Sequence, residues 1–240
     1  MIRTVGLTGM LVTFADALSE PSNRATLAFR QRLEALGLDG VLETATSLAS
    51  VYIRFDPAIL DHHRLQARLE EELSTRDWYQ QALPPGRRFW RVPTVYGTDL
   101  APQLAEAADA AGMSEAQAID SLGSARVRVL TIGFAPGQPY LGPLGPEWDL
   151  PRQTELTPMM PRGALVLAIR QFVLFSSATP TGWRHVGQTG FMIFRPESEA
   201  PFALQAGDEL QFEPVSRADF LKLRESDAAM GGAIAEEIPA

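Results

Sequence analysis

Apolar residues recur along this chain at two spacings, and the balance between them shifts near residue 95. In the first part, period-two runs alternate with longer stretches of helical period. Met10, Val12 and Phe14 fall on one face and Leu11 on the other, which predicts a strand over 9–14. Ala25, Phe29, Leu33 and Leu36 repeat at helical spacing and predict a helix over 23–36, with Gly37 placed to cap its end. Residues 41–46 read as a second strand. Val51, Ile53 and Phe55 alternate with Tyr52 and Arg54 and predict a half-buried third. Asp56-Pro57 then supplies a cap and a first-turn proline for a helix whose apolar stripe is Leu65, Leu69 and Leu73. A last strand over 88–92 ends at Pro93. This β-α-β-β-α-β order is that of a ferredoxin-like domain, expected over 1–95.

From 96 to 124 the period is helical. Asp99 is a candidate cap for a helix carrying Leu104, Ala107, Ala108 and Ala111, ended by Gly112. Ser114 and Gln117 fit a capping box for a second short helix. Short apolar runs follow at 127–132, 164–169, 171–175, 183–187, 190–195 and 209–213, separated by Gly, Pro and polar turns. Such spacing predicts a closed or nearly closed β-barrel. The fold class is therefore α+β, with the helical bridge and barrel over 96–217 and a tail over 218–240. The tail holds one short helical pattern, Phe220 to Leu223.

Composition narrows the function. The 240 residues carry 21 basic and 29 acidic side chains, a net charge of −8, which argues against a nucleic-acid backbone or an anionic membrane as partner. There is no cysteine, so thiol catalysis, thiolate metal sites and disulfides are excluded. No apolar run reaches the length of about 18 that a membrane span needs, and the first residues lack signal-peptide character, so the expected location is the cytoplasm. No Walker A pattern occurs.

The candidate chemistry centres on GFAPGQPYLGPLG, 133–145. Glycine permits close backbone approach and proline stiffens the loop, so its N–H groups are expected to face an anion or a developing oxyanion. Gly133, Phe134, Pro136, Gly137, Pro139 and Tyr140 are its candidate binding residues. The irregular segment 148–163 carries Arg152 and Arg162, either of which suits a carboxylate or phosphate clamp. Trp183 would wall the pocket, and His185, the only barrel histidine, is a candidate proton carrier alongside Arg152 as the catalytic pair. His62 and His63 adjoin on a helix and do not face each other, so they are a poor metal pair, and His62, three residues before Leu65, reads as a core-edge histidine.

GFAPGQPYLGPL, the LPR that follows, the Pro-x-Gly-Ala-Leu-Val at 161–166, Thr181-Gly182-Trp183 and Gly187-Gln188-Thr189 occur in an order that resembles the KipI / allophanate hydrolase subunit 1 family. This is the carboxyltransferase subdomain C and D family, which includes one of the subunits of bacterial 5-oxoprolinase. The resemblance covers about 1–217. It implies a ferredoxin-like domain followed by a cyclophilin-like barrel, and a substrate-binding part for Thr189. It also implies a homologous carboxyltransferase-type barrel subunit as partner, with a lactam-hydrolase subunit and a small carboxylic acid or lactam as substrate. The implied reaction is ATP-dependent opening of the 5-oxoproline lactam. The alternative it implies is a KipI-like inhibitor of a sensor histidine kinase, without turnover. Several positions depart from the family pattern: Asp120 before Ser121, Gln138 after Pro-Gly, Pro158-Met159 for a Pro-Arg pair, and Ile169-Arg170-Gln171-Phe172 for a Gly-Gln-Thr-Gly turn.

Overall fold

Met10, Val12, Val51, Ile53 and Phe55, the inward positions of the N-terminal period-two runs, are buried together in a computed structural model that describes residues 1–239. The chain forms two units, Met1–Pro85 and Gly86 onward.

In the first unit β1 (Ile2–Val5), β2 (Gly9–Thr13), β3 (Val41–Thr46) and β4 (Ser50–Phe55) make one antiparallel sheet in the order β1-β2-β4-β3. Helix α1 (Glu20–Leu36) adds Ala25, Phe29 and Leu33 to its core. The helix starts earlier than its apolar stripe. Ser19 and Ser22 form a reciprocal capping box, and Gly37 ends it in the left-handed region at φ 55°. Helix α2 (His62–Ser74) buries Leu65 and Leu69. It begins at the cap Asp61 and not at Asp56 as expected. The Asp56 carbonyl instead accepts from the amides of Ile59 and Leu60, and its side chain from Ala58, so Asp56-Pro57 is spent on a turn. His62 packs edge-on against Phe55 at 4.8 Å.

The predicted sixth element of a ferredoxin-like unit is not in this sheet. Its fourth strand is β1, and β5 (Arg88–Tyr96) belongs to the second unit, where it pairs parallel with β13 (Glu209–Pro214). Nor does Pro93 end β5. It falls where one edge of the strand changes partner, from β14 (Ile234–Glu237) at 88–91 to β12 (Arg184–Thr189) at 94–96, so its missing N–H removes no bond on that edge.

The second unit is a closed barrel of seven strands among the described residues. With β6 (Arg126–Ile132), β7 (Pro139–Gly142), β9 (Ala164–Ala168) and β10 (Gln171–Leu174), the order is β12-β9-β10-β7-β6-β13-β5, and β5 closes onto β12. Helices α3 (Leu104–Ala110) and α4 (Glu115–Ser124) share the barrel core through Leu104, Ala107, Ala108, Ala118 and Leu122. The Ser114–Gln117 capping box forms. Asp99 caps nothing: it pairs with Arg217 at 3.1 Å, at the start of α5 (Arg217–Ser226). The run at 190–195 is not a ladder strand. Phe191 and Ile193 enter the core, and Phe194 makes an isolated bridge with Phe202.

β9 and β10 are buried on both faces. Leu165, Leu167, Phe172 and Leu174 point to the main core, and Ala164, Val166, Ala168, Val173 and Phe175 to a second one. The second core is covered by a two-stranded flap, β8 (Thr157–Met160) with β11 (Thr179–Thr181), whose Met160 packs into it beside Trp183. Among the described residues no helix is long and apolar enough to cross a membrane.

Candidate functional site

The Gly/Pro stretch is a hairpin between β6 and β7 that closes on itself. The Gly133 amide donates to the Gln138 carbonyl at 3.0 Å and the Gln138 amide to Ala135 at 3.1 Å. The expectation that Gly133 presents its N–H to a ligand therefore differs from what the hairpin does with it. Gly137 sits at φ 69°, which favours glycine, and a Cβ there would stand 3.2 Å from the Phe202 ring. Phe134 also has positive φ, 71°, and its side chain is 78% exposed. Pro136 is exposed, and Pro139 is buried at the start of β7.

Two clefts open beside the flap; Phe134, Tyr140, Arg152 and Trp183 line one and Arg162, His185 and Thr189 the other, whereas Gly133, Pro136, Gly137 and Pro139 line neither. The first, of about 300 Å³, is lined by Phe134, Gln138, Tyr140, Arg152, Gln153 and Trp183 among others. Local bonds and register place several of them. Tyr140 lies opposite Val173 of β10. Trp183 is set by its amide donating to Thr181 Oγ1 at 3.1 Å, and the Gln153 amide donates to the Gly182 carbonyl at 2.6 Å, tying the irregular segment to that turn. Farther up this segment Trp148 is 1% exposed and roots it in the main core, donating to Ser121 Oγ at 3.1 Å. The Arg152 guanidinium lies 5.3 Å from the centre of the Trp183 ring, and Tyr140 meets that ring edge-on at 6.2 Å. Gln138 is 2% exposed, and its Oε1, like that of Gln153, is buried without a hydrogen-bond partner. A single cation over an aromatic wall, with two unused carbonyl oxygens, suits a small anion that also carries a donor.

The second cleft, of about 700 Å³, holds Arg162, His185 and Thr189, together with Gln188, Arg224 and Asp99. His185 is fixed through its backbone. Its amide donates to Gln103 Oε1 at 2.8 Å and its carbonyl accepts from the Gln103 amide at 3.1 Å, at the start of α3. Burial holds the imidazole below its ordinary pKa, against smaller opposing effects of the Gly187 backbone and the Gln188 side chain. Gln188 Nε2 donates to the carbonyls of Arg162 and Thr189 at 3.0 and 3.1 Å. His185 is thus not beside Arg152, and the two are not a catalytic pair in one cleft. Among the described residues no group of three His, Asp or Glu side chains is placed to hold a metal ion.

Sequence reasoning passed over Gln153 and Arg224, used Gln188 only as part of the Gly187-Gln188-Thr189 resemblance, and treated Gln138 only as a departure from a pattern. A signal existed for Gln188, a polar residue that the ladder buries between Gly187 and Thr189 on a core strand. Arg224 arrives on α5 from the far end of the chain and carries no local signal.

The fold is that of a carboxyltransferase-type barrel. The family described as carboxyltransferase domain, subdomain C and D, matches residues 1–204, and the chain belongs to it. Among its relatives, a 5-oxoprolinase subunit from Bacillus subtilis is 27% identical over 231 residues, 93% of this chain and 96% of that protein. The protein of the same name from Escherichia coli O157:H7 is 36% identical over 139 residues, 57% of this chain and 64% of that one. The crystal structure of TTHA0988 superposes with a TM-score of 0.73 at 28% identity, over 90% of this chain. This chain spans only 40% of that solved protein.

Proposed function

We propose that this chain is the lactam-binding subunit of a 5-oxoprolinase-type hydrolase, acting with ATP and with a homologous carboxyltransferase-type barrel subunit. The names of its relatives support the system. The observation that carries the reading is the aromatic cleft, where Arg152 is held over Trp183 and Gln138 Oε1 lacks a partner. A cyclic amide acid offers the two matching groups, a carboxylate for Arg152 and a ring N–H for Gln138.

An amide carbonyl is a poor electrophile. Transfer of a phosphoryl group from ATP to its oxygen makes the carbon open to water, and loss of phosphate with cleavage of the C–N bond leaves the open amino acid. Within that sequence this chain's own residues bind and orient. Arg152 fixes the carboxylate, Gln138 takes the N–H, and Tyr140 and Trp183 keep water from the ring faces. A cleft of about 300 Å³ with one arginine admits a small acid and does not fit a nucleoside triphosphate, so ATP is assigned to the partner. Phe134 at 78% exposure and Leu156 at 68% sit at the same mouth, and a partner barrel would cover them.

The test is calorimetric titration of 5-oxoproline into the chain, alone and with its partner subunits. Gln138→Leu, which keeps the size and removes the acceptor, is expected to weaken binding roughly tenfold. Binding of 5-oxoproline that ignores this change would reject the cleft as its site.

A further inference from the structure

The second cleft contains three buried polar atoms that the protein leaves unsatisfied: His185 Nε2, Gln188 Oε1 and Thr189 Oγ1. Their residues are 3%, 7% and 3% exposed. Buried polar groups are almost always paired, so three orphans in one cleft point to a ligand. The chemistry of each is defined. Gln188 spends its amide nitrogen on two backbone carbonyls, which leaves Oε1 purely as an acceptor. Thr189 Oγ1 has free lone pairs. The His185 ring is kept neutral by burial, so it carries a lone pair. The Gln188 side chain lies beside the ring and favours its charged form, an effect smaller than that of burial.

Two cations line the same cleft, Arg162 and Arg224, and neither is in an ion pair among the described residues. Arg224 rests over Phe220 at 5.5 Å. The one carboxylate in the lining, Asp99, is already matched by Arg217 at 3.1 Å. The cleft thus combines a cluster of acceptors with a separate pair of unanswered positive charges.

We infer that this cleft binds a small amino acid as its zwitterion, with the ammonium on Gln188 Oε1, Thr189 Oγ1 and His185 Nε2 and the carboxylate at Arg162 and Arg224. An ammonium has three donors, and three acceptors wait for it. A ligand with a carboxylate alone would leave those acceptors buried and unmade. The inference does not depend on the lactam reading, which concerns the other cleft.

Calorimetric titration of the full chain at neutral pH tests it, with L-glutamate against glutarate, the same skeleton without the ammonium. Glutamate is expected to bind at least about tenfold more tightly, the discrimination of one charged hydrogen-bonded group. Thr189→Val keeps the shape of a residue whose hydroxyl has no protein partner, so folding is preserved, and it should weaken glutamate several-fold. Excess 5-oxoproline should leave glutamate affinity unchanged. Equal affinity for glutarate, no effect of Thr189→Val, displacement by 5-oxoproline, or no glutamate binding would each overturn the assignment.

Discussion

Replacing Arg152 by alanine separates recognition from stability in the aromatic cleft. The side chain is exposed and its contact with Trp183 is a cation–π approach at 5.3 Å. An exposed contact of that kind contributes about 0.5–1 kcal/mol. In a unit of this size that amounts to a fall in Tm of roughly 2–4 °C at most. The same guanidinium, as sole cation in the cleft, would lose charge-assisted hydrogen bonds to the substrate carboxylate worth about 1.5–3 kcal/mol. The dissociation constant for 5-oxoproline should therefore rise by roughly ten- to a hundredfold while the melt barely moves. Arg152→Lys keeps the charge but loses the planar fork and the stacking, and should fall between wild type and alanine. Titration calorimetry read beside a thermal melt checks both halves. Unchanged affinity in Arg152→Ala would refute the clamp, and a loss of affinity matched by a melt shift well beyond about 4 °C would assign the residue to structure instead.

Gly163 has φ 81°, and a Cβ there would stand 2.4 Å from the Thr189 carbonyl oxygen, so Gly163→Ala should cost about 3 kcal/mol or more in urea unfolding, whereas Gly133→Ala, with open space around its Cβ, should be tolerated within about 1 kcal/mol. Ile169 is a β-branched residue at φ 44° in the β9–β10 turn and is 40% exposed, so Ile169→Asn should raise stability by about 1 kcal/mol, and a lower Tm would show that its packing outweighs its strain. Because burial lowers the His185 pKa, the unfolded chain takes up that proton first as pH falls below about 6.5. Stability from this group is complete above that pH and is lost on the way down, at up to about 1.4 kcal/mol per pH unit, until the folded ring protonates too. His185→Gln should flatten that stretch of the stability–pH curve, and an unaltered slope would identify another group.

The elements that were legible in the sequence are those whose signal is local and periodic. The stripe of α1 with Gly37, the alternation of β4 and the capping box of α4 each fix an element through neighbours within one or two turns. What was hidden depends on partners far along the chain. β1 is mostly exposed and shows no alternation, and it becomes a strand only by pairing with β2. The pattern at 88–92 does announce a strand, but nothing in it says that Glu209 to Pro214, more than a hundred residues later, will recruit it into the barrel. Asp56-Pro57 has the chemistry of both a cap and a turn, and Asp61 settles which by offering a second cap next to the apolar stripe.

The division of the candidate site has a similar cause, and part of it was on view in the sequence. Trp183 and His185 are two apart in the apolar run 183–187, so grouping them on one face follows from strand geometry, but β12 begins at Arg184 and Trp183 lies in the turn before it. The apolar runs at 164–169 and 171–175, however, are continuous rather than alternating, which is the pattern of strands covered on both sides. Something had to lie over the outer face of β9 and β10. Thr157-Pro158-Met159-Met160 and Thr179-Pro180-Thr181 show neither a period of two nor β-branched density throughout, so nothing marked them as that cover. Once paired, they set Met160 down among Val166, Phe175 and Trp183, and the covered face is left with one opening that includes Met159 and Met160 and another that includes Pro180 and Thr181. The flap thereby leaves two sites of different chemistry beside one covered face, an aromatic one with a single cation and a polar one with unsatisfied acceptors. Their independence under mutation, Arg152 and Gln138 against Thr189, is the property that follows most directly from that construction.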